Sequence, residues 1–222
     1  MQLSEIIKKA HANACEKGFY DCPECGGTGE ITVKEEDYDT CPSCGAKGRG
    51  KDQNKNIGEM TMLCVTELGE AVNAHRSEKF ANIESLNYLI HSGVLSFEKA
   101  FETEVKDFFE DEIADTIIRL ADMCGYLGIE ISDEAVRNDR YGYDLSTNTA
   151  EALLQLCGKL YEMYVGAEFY DIYNPHLRIE ILSKIFWYLY AFCDHRMIDI
   201  DTHIELKMKY NASREYKHGK RY

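Results

Sequence analysis

The side chains best placed to do chemistry are acids spaced three apart in two helical stretches. Glu67 and Glu70 stand in TMLCVTELGEAVNAHR, and Glu112 and Asp115 in EVKDFFEDEIADTIIRLADMCGYL. On a helix, side chains three apart leave the same side, so two such helices packed together would assemble four carboxylates. Two unit charges about 4 Å apart interact by roughly 4 kcal/mol at an effective dielectric near 20. Acids held that close either take up protons or bind a cation. Carboxylate oxygens without a neighbouring His or Cys suit Mg2+ or Mn2+ better than zinc. The second set is sulfur. Cys22/Cys25 and Cys41/Cys44 form two C-x2-C knuckles with 15 residues between them. That is the spacing of a tetrathiolate Zn2+ site, and the glycines after each knuckle let backbone amides turn towards the sulfurs.

The elements that must carry these residues read as helices. Glu104 to Leu127 is expected to be one long helix, because Val105, Phe108, Phe109, Ile113, Ile117, Leu120, Cys124 and Leu127 recur at steps of three and four. Arg119 and Asp122 continue the polar seam of Glu112 and Asp115. Ile57 to about His75 forms the other carboxylate helix, followed by a short helix around Ile83 to Ile90 and a turn at Ser92-Gly93. Residues 3 to 17 form an amphipathic helix with Ser4 as N-cap and Gly18 as its stop. Its apolar side (Leu3, Ile6, Ile7, Ala10 and Ala14) needs a partner. Polar, glycine-bearing KGRGKDQNKN, residues 47 to 56, reads as a linker. Phe97 to Asp115 carries eight acids against two lysines, which favours cation attraction at the start of the long helix.

Composition narrows the function classes. With 222 residues, 45% of them hydrophobic, the chain can bury a real core. A net charge of -14 repels phosphate backbones and anionic membranes. The N-terminal stretch is amphipathic and mixed in charge rather than a signal peptide, and no apolar run approaches the roughly 20 residues of a membrane span. Cys64, Cys124, Cys157 and Cys193 fall in helical patterns where single thiols belong to a core, and Cys15 has no assigned role. An odd count of nine cysteines without an export signal fits a reducing compartment. A cytoplasmic chain is therefore expected.

The pattern ELGE, a spacer and EDEIADTIIRLADMCGYLGIEI resembles the MazG-like, all-α nucleoside triphosphate pyrophosphohydrolases, which carry E-x-x-E and then E-x-x-D on successive bundle helices. The resemblance runs from roughly Asn56 to the end of the chain. It implies that Glu67, Glu70, Glu112 and Asp115 hold Mg2+ (or Mn2+) and grip a triphosphate, which is hydrolysed to the monophosphate and pyrophosphate. Glu67 is the candidate for the carboxylate beside the attacking water. LKMKYNASREYKHGKRY resembles the family's tail, with Lys207, Asn211 and Arg214 at positions that contact the nucleotide or its phosphates. CPECGGTGE and CPSCGAKGRG resemble DnaJ-type zinc knuckles, with two of that module's four repeats present. The four-cysteine ribbon either pins the N-terminal arm or meets a partner, and KEEDYD between the knuckles argues against a nucleic-acid finger.

A weak internal repeat completes the expectation. EIADTIIRLADMCGYLGIEIS aligns with EILSKIFWYLYAFCDHRMIDID, and CVTELGEA with LCGKLYEM. Ser183 then stands at the place of Asp115, Lys159 at that of Glu67 and Glu162 at that of Glu70. The second copy lacks a full carboxylate set, while the first has Asn138 and Gly142 where the second has Lys207 and Asn211. The predicted architecture is all-α: residues 1–50 hold the N-terminal helix and the four-cysteine zinc ribbon. Residues 51–222 form a duplicated MazG-like bundle, with an active first half at about 56–145 and a degenerate second half at about 146–222. Such a chain mimics paired subunits and leaves a homodimer open. Two rival classes compete with this reading. A ferritin-like di-iron protein needs paired E-x-x-H motifs, and Glu215 with His218 supplies one, in the basic tail. The other rival is a non-catalytic nucleotide-sensing protein that recruits a partner through its zinc ribbon.

Overall fold

A computed structural model describes residues 1–22, 24–28, 30–34, 37–42, 55–137, 148–169 and 175–216. The described chain is mostly helical. Its elements are α1 Leu3–Glu16, β1 Glu30–Lys34, β2 Asp37–Thr40, α2 Ile57–Arg76, α3 Ile83–His91, α4 Phe97–Glu104, α5 Phe109–Leu127, α6 Asp133–Arg137, α7 Thr149–Phe169, α8 Pro175–His195 and α9 Ile200–Ser213. No described helix is long and apolar enough to cross a membrane. The expected linker falls largely in residues 43–54, outside the described set, as do Asn138, Gly142 and His218.

Helix α5 is the axis of the molecule. It packs against α1, α2, α8 and α9, so it is buried on more than one stripe. Phe109, Ile113, Ile117, Leu120 and Cys124 enter the main core as the periodicity requires, but Asp111, Glu112, Thr116 and Met123 are buried as well. Gly125 gives α1 its close approach, because a Cβ there would lie 2.4 Å from that of His11. Leu3, Ile6, Ile7 and Ala10 thereby find the apolar partner they need.

Two local expectations are corrected. The stretch from Glu104 to Leu127 is not one helix: α4 ends at Glu104 and α5 starts at Phe109. Between them Asp107 adopts the left-handed region at φ 62, and its backbone N–H donates to Asp111 Oδ2 at 3.0 Å. The break lets the apolar residues serve two cores. Val105 packs with Leu86, Phe101 and Tyr210, whereas Phe109 belongs to the main core. Ser4 is not the N-cap of α1 either. Gln2 occupies that position without a side-chain cap, and the N–H of Leu3 donates instead to Asp133 Oδ1 of α6 at 2.8 Å.

The second half follows a reciprocal plan. α7 packs on α8 as α2 packs on α5, and α7 also meets α2. The following helices then cross over, α6 lying on α8 and α9 on α5. Asp199 caps α9 by accepting from Thr202 N–H.

Candidate metal centres

The carboxylate centre forms where α2 lies along α5. Oxygens of Glu67, Glu112 and Asp115 all come within 4.8 Å of one another. Glu67 is 5% exposed and Glu112 2%, so neither is a solvated surface acid. Cations already stand beside them. Arg119, one turn beyond Asp115, donates from Nε to Glu67 Oε1 at 2.6 Å. Burial works against the arginine's charge, but Glu67 and Asp115 outweigh it and hold its pKa above the ordinary value.

Helix α9 supplies the second cation. Lys207 Nζ lies 2.6 Å from Asp111 Oδ2 and 2.8 Å from Asp115 Oδ2, with the lysine side chain 5% exposed. Burial opposes this charge too, and is overcome by Asp115 and Asp111, so the pKa of Lys207 is raised. Burial pushes Asp111 up to about 7 against the pull of Lys207. Burial, again opposed by Lys207, pushes Glu112 up to about 9, with the neighbouring acids Asp115, Glu67 and Asp111 adding to the rise. Protonation is one of the two ways to relieve crowded acids, and the other is a divalent ion. The donor set suits the latter: three oxygen ligands converge, and Asp111 Oδ1 is buried without a hydrogen-bond partner.

The site residues expected from sequence are thus only partly gathered. Glu67, Glu112 and Asp115 meet, while Glu70 is exposed one turn along α2 and stands outside that group. Lys207 does not project as a free phosphate contact, because its ammonium is committed to two carboxylates. Asn211 follows one turn later, 7% exposed and with its Oδ1 buried and unpartnered. Arg214 caps the end of α9, with its guanidinium 5.9 Å from the ring of Tyr210. Sequence reasoning passed over Asp111. The usable signal was its spacing of four from Asp115, which brackets a cation on one helix face.

The second half builds no matching centre among the described residues. Ser183 is buried and donates back to Ile179 O at 2.8 Å. Glu180, aligned with Glu112, is exposed and paired with Lys184 at 2.6 Å.

The thiol centre sits on the antiparallel β1–β2 hairpin, in which Glu30 pairs with Thr40 and Ile31 with Asp39. Cys22, Cys25 and Cys41 converge within 4.8 Å, and the sulfurs of Cys22 and Cys41 are 3.8 Å apart. A tetrahedral ion with sulfurs about 2.3 Å away places them about 3.8 Å from each other, so the spacing fits. Gly26 and Gly27 make the knuckle turn with φ of 58 and 92, which side chains resist. Cys44 lies outside the described residues.

The thiol arm is also tied to the end of α9. Lys17 Nζ donates to the carbonyls of Ala212 and Arg214 at 2.7 and 2.6 Å. Tyr216 OH donates to Asp21 Oδ2 at 3.0 Å, beside the first knuckle. A separate cleft, lined by Ser4, Ile7, Lys8, Gly125 and Asp133, lies between α1 and the end of α5 and includes none of the clustered acids. No family model, curated protein or solved structure matches the chain.

Proposed function

We propose that the chain is a Mg2+-dependent nucleoside triphosphate pyrophosphohydrolase of the MazG-like type, yielding a nucleoside or deoxynucleoside monophosphate and pyrophosphate. The observation that carries the reading is the convergence of Glu67 with Glu112 and Asp115, since it joins the E-x-x-E helix to the E-x-x-D helix through their carboxylates. Bound Mg2+ would neutralise phosphate oxygens and lower the pKa of an attacking water. Glu67, Glu112 and Asp115 would hold it, with Glu70 at the exposed edge. Arg119 keeps Glu67 oriented, and Lys207 does the same for Asp115. Arg214, at the end of α9, is assigned to the substrate phosphates, where a planar fork binds oxygens in pairs. Asn211 is assigned to the nucleotide. The crossover of α6 and α9 onto opposite central helices supports a duplicated bundle with one working half.

Zn2+ on Cys22, Cys25, Cys41 and Cys44 is assigned a structural role, because so small a hairpin folds around its metal. One observation favours the competing reading of a non-catalytic nucleotide sensor: Arg119 and Lys207 already offset part of the acidic charge from within. The decisive experiment supplies purified protein with the eight common NTPs and dNTPs and Mg2+, and measures pyrophosphate. Release from at least one nucleotide is expected. Nucleotide binding without pyrophosphate would leave the sensor.

A further inference from the structure

Cys15 belongs to neither metal centre, and its neighbours on α1 and α5 are of a kind that changes what a thiol does. Cys15 Sγ is 3.7 Å from His11 Nε2, and His11 Nδ1 is 2.9 Å from Asp122 Oδ1 of α5. Residues 11 and 15 are four apart on one helix, so both side chains leave the same face. That face lies on α5, where Gly125 leaves room for the Cβ of His11. A carboxylate only accepts hydrogen bonds, so Nδ1 is the nitrogen that donates. In the neutral ring Nε2 is then the acceptor, and it faces the thiol. Tyr20 OH donates to the same Asp122 oxygen at 2.8 Å and holds the carboxylate from a second side.

The sulfur is within reach of solvent. Cys15 is half-buried, and the His11 and Asp122 side chains are 29% and 21% exposed. The other described thiols outside the hairpin differ. Cys64, Cys124 and Cys193 are buried, and burial pushes each thiol up. Cys157 is half-buried, and burial pushes it up as well. The carbonyl end of α1 disfavours negative charge at residue 15, so a reactive thiolate there depends on His11. An ordinary thiol is only about 3% ionised near pH 7, so passing its proton to His11 raises the reactive share by up to about thirtyfold. The lower nucleophilicity of such a thiolate offsets much of this and leaves a net gain of about three- to fivefold. The charged and titratable groups around the pair are Asp122 and Tyr126 of α5, Tyr20, and Lys55, whose ammonium lies 5.1 Å from the Tyr20 ring centre.

We infer that Cys15 is a modification site, a thiol primed by His11 and Asp122 to form a mixed disulfide with a low-molecular-weight disulfide. His11 Nε2 takes the proton of the Cys15 S–H bond, and the sulfur attacks one sulfur of the small disulfide. A new S–S bond to Cys15 forms as the old one breaks, and the departing thiolate takes the proton from His11. Cys15 is oxidised and the departing half is reduced to a thiol, so the small disulfide is the only co-reactant. The inference stands apart from nucleotide hydrolysis and from both metals. Asp122 acts through His11 and is a positioning residue.

Treating the full zinc-supplied chain with the neutral disulfide dithiodipyridine, and mapping the adducts over time by peptide mass spectrometry, gives a rate for each cysteine. Near pH 7 Cys15 is expected to react at least about fivefold faster than Cys157. His11→Ala should slow Cys15 by about three- to fivefold and leave Cys157 unchanged. From about pH 8 to about pH 6 the Cys15 rate should fall about tenfold in the wild type, but about eightyfold in His11→Ala, where the thiol titrates as an ordinary one. A Cys15 no faster than Cys157, or a Cys15 rate that does not fall in a folded His11→Ala, would overturn the inference. Should His11→Ala fail to fold, the wild-type rates and their pH profile decide alone.

Discussion

Glu112 and Asp115 differ from Arg214 in what their loss should do. Glu112→Gln and Asp115→Asn each remove a ligand charge while nearly keeping volume, so the fold should persist and Mg2+-dependent pyrophosphate release should fall by roughly a hundredfold or more. Activity near wild type in either would refute the metal assignment. Arg214→Ala leaves the metal ligands intact. It should lower kcat/KM by the worth of a charge-assisted hydrogen bond, roughly 1.5–3 kcal/mol, read from steady-state kinetics at saturating Mg2+. Glu162→Gln, exposed on α7 in the half without a carboxylate group, should be nearly silent. His203 adds a pH dependence of its own to stability. It is buried, and burial holds its pKa down at about 4 against 6.5 in the unfolded chain. The neutral ring is the folded form, so this contribution is complete above pH 6.5 and is lost as pH falls towards 4. Between about pH 7.5 and about pH 4.5 the wild type should lose about 2–3 kcal/mol more than His203→Gln in urea unfolding. Equal losses would show that the ring is charged in the fold.

Gly18 is the element-scale counterpart, ending α1 at φ 79, where a Cβ would lie 1.9 Å from the ring of Tyr216. Gly18→Ala should therefore cost at least about 1–2 kcal/mol from the left-handed backbone alone, more once Tyr216 is displaced. An unchanged urea midpoint would deny that contact. The stop at Gly18 was legible in sequence, as were α2 and α3 to within a residue or two, because glycine and helical periodicity are local signals. The α4–α5 break was not. Val105, Phe108 and Phe109 keep helical spacing across it, and the left-handed residue is Asp107 rather than glycine. The meeting of Glu67, Glu112 and Asp115 could be read from spacing because they come from one helix pair. The commitment of Lys207 to Asp111 was hidden, since it depends on α9 reaching α5 across 96 positions of chain.

At the scale of the whole molecule, the thiol hairpin and the bundle are separate in what holds them. Cys22→Ser with Cys41→Ser should release zinc yet leave the far-ultraviolet helical signal nearly intact, because α2, α5, α7 and α8 share a core that contains neither cysteine. Collapse of that signal would show the hairpin to be part of the fold's foundation. The ties from Lys17 and Tyr216 reach across 195 or more positions of chain, and α1 rests on α5 and α9. That arrangement imposes a timetable on synthesis. At roughly 5–20 residues per second, about 10–40 s separate translation of α1 from translation of α9. Throughout that interval Leu3, Ile6 and Ile7 lack part of the surface that later covers them. During it the nascent chain carries α1 as an adhesive amphipathic helix, and that helix is where a holding chaperone would bind.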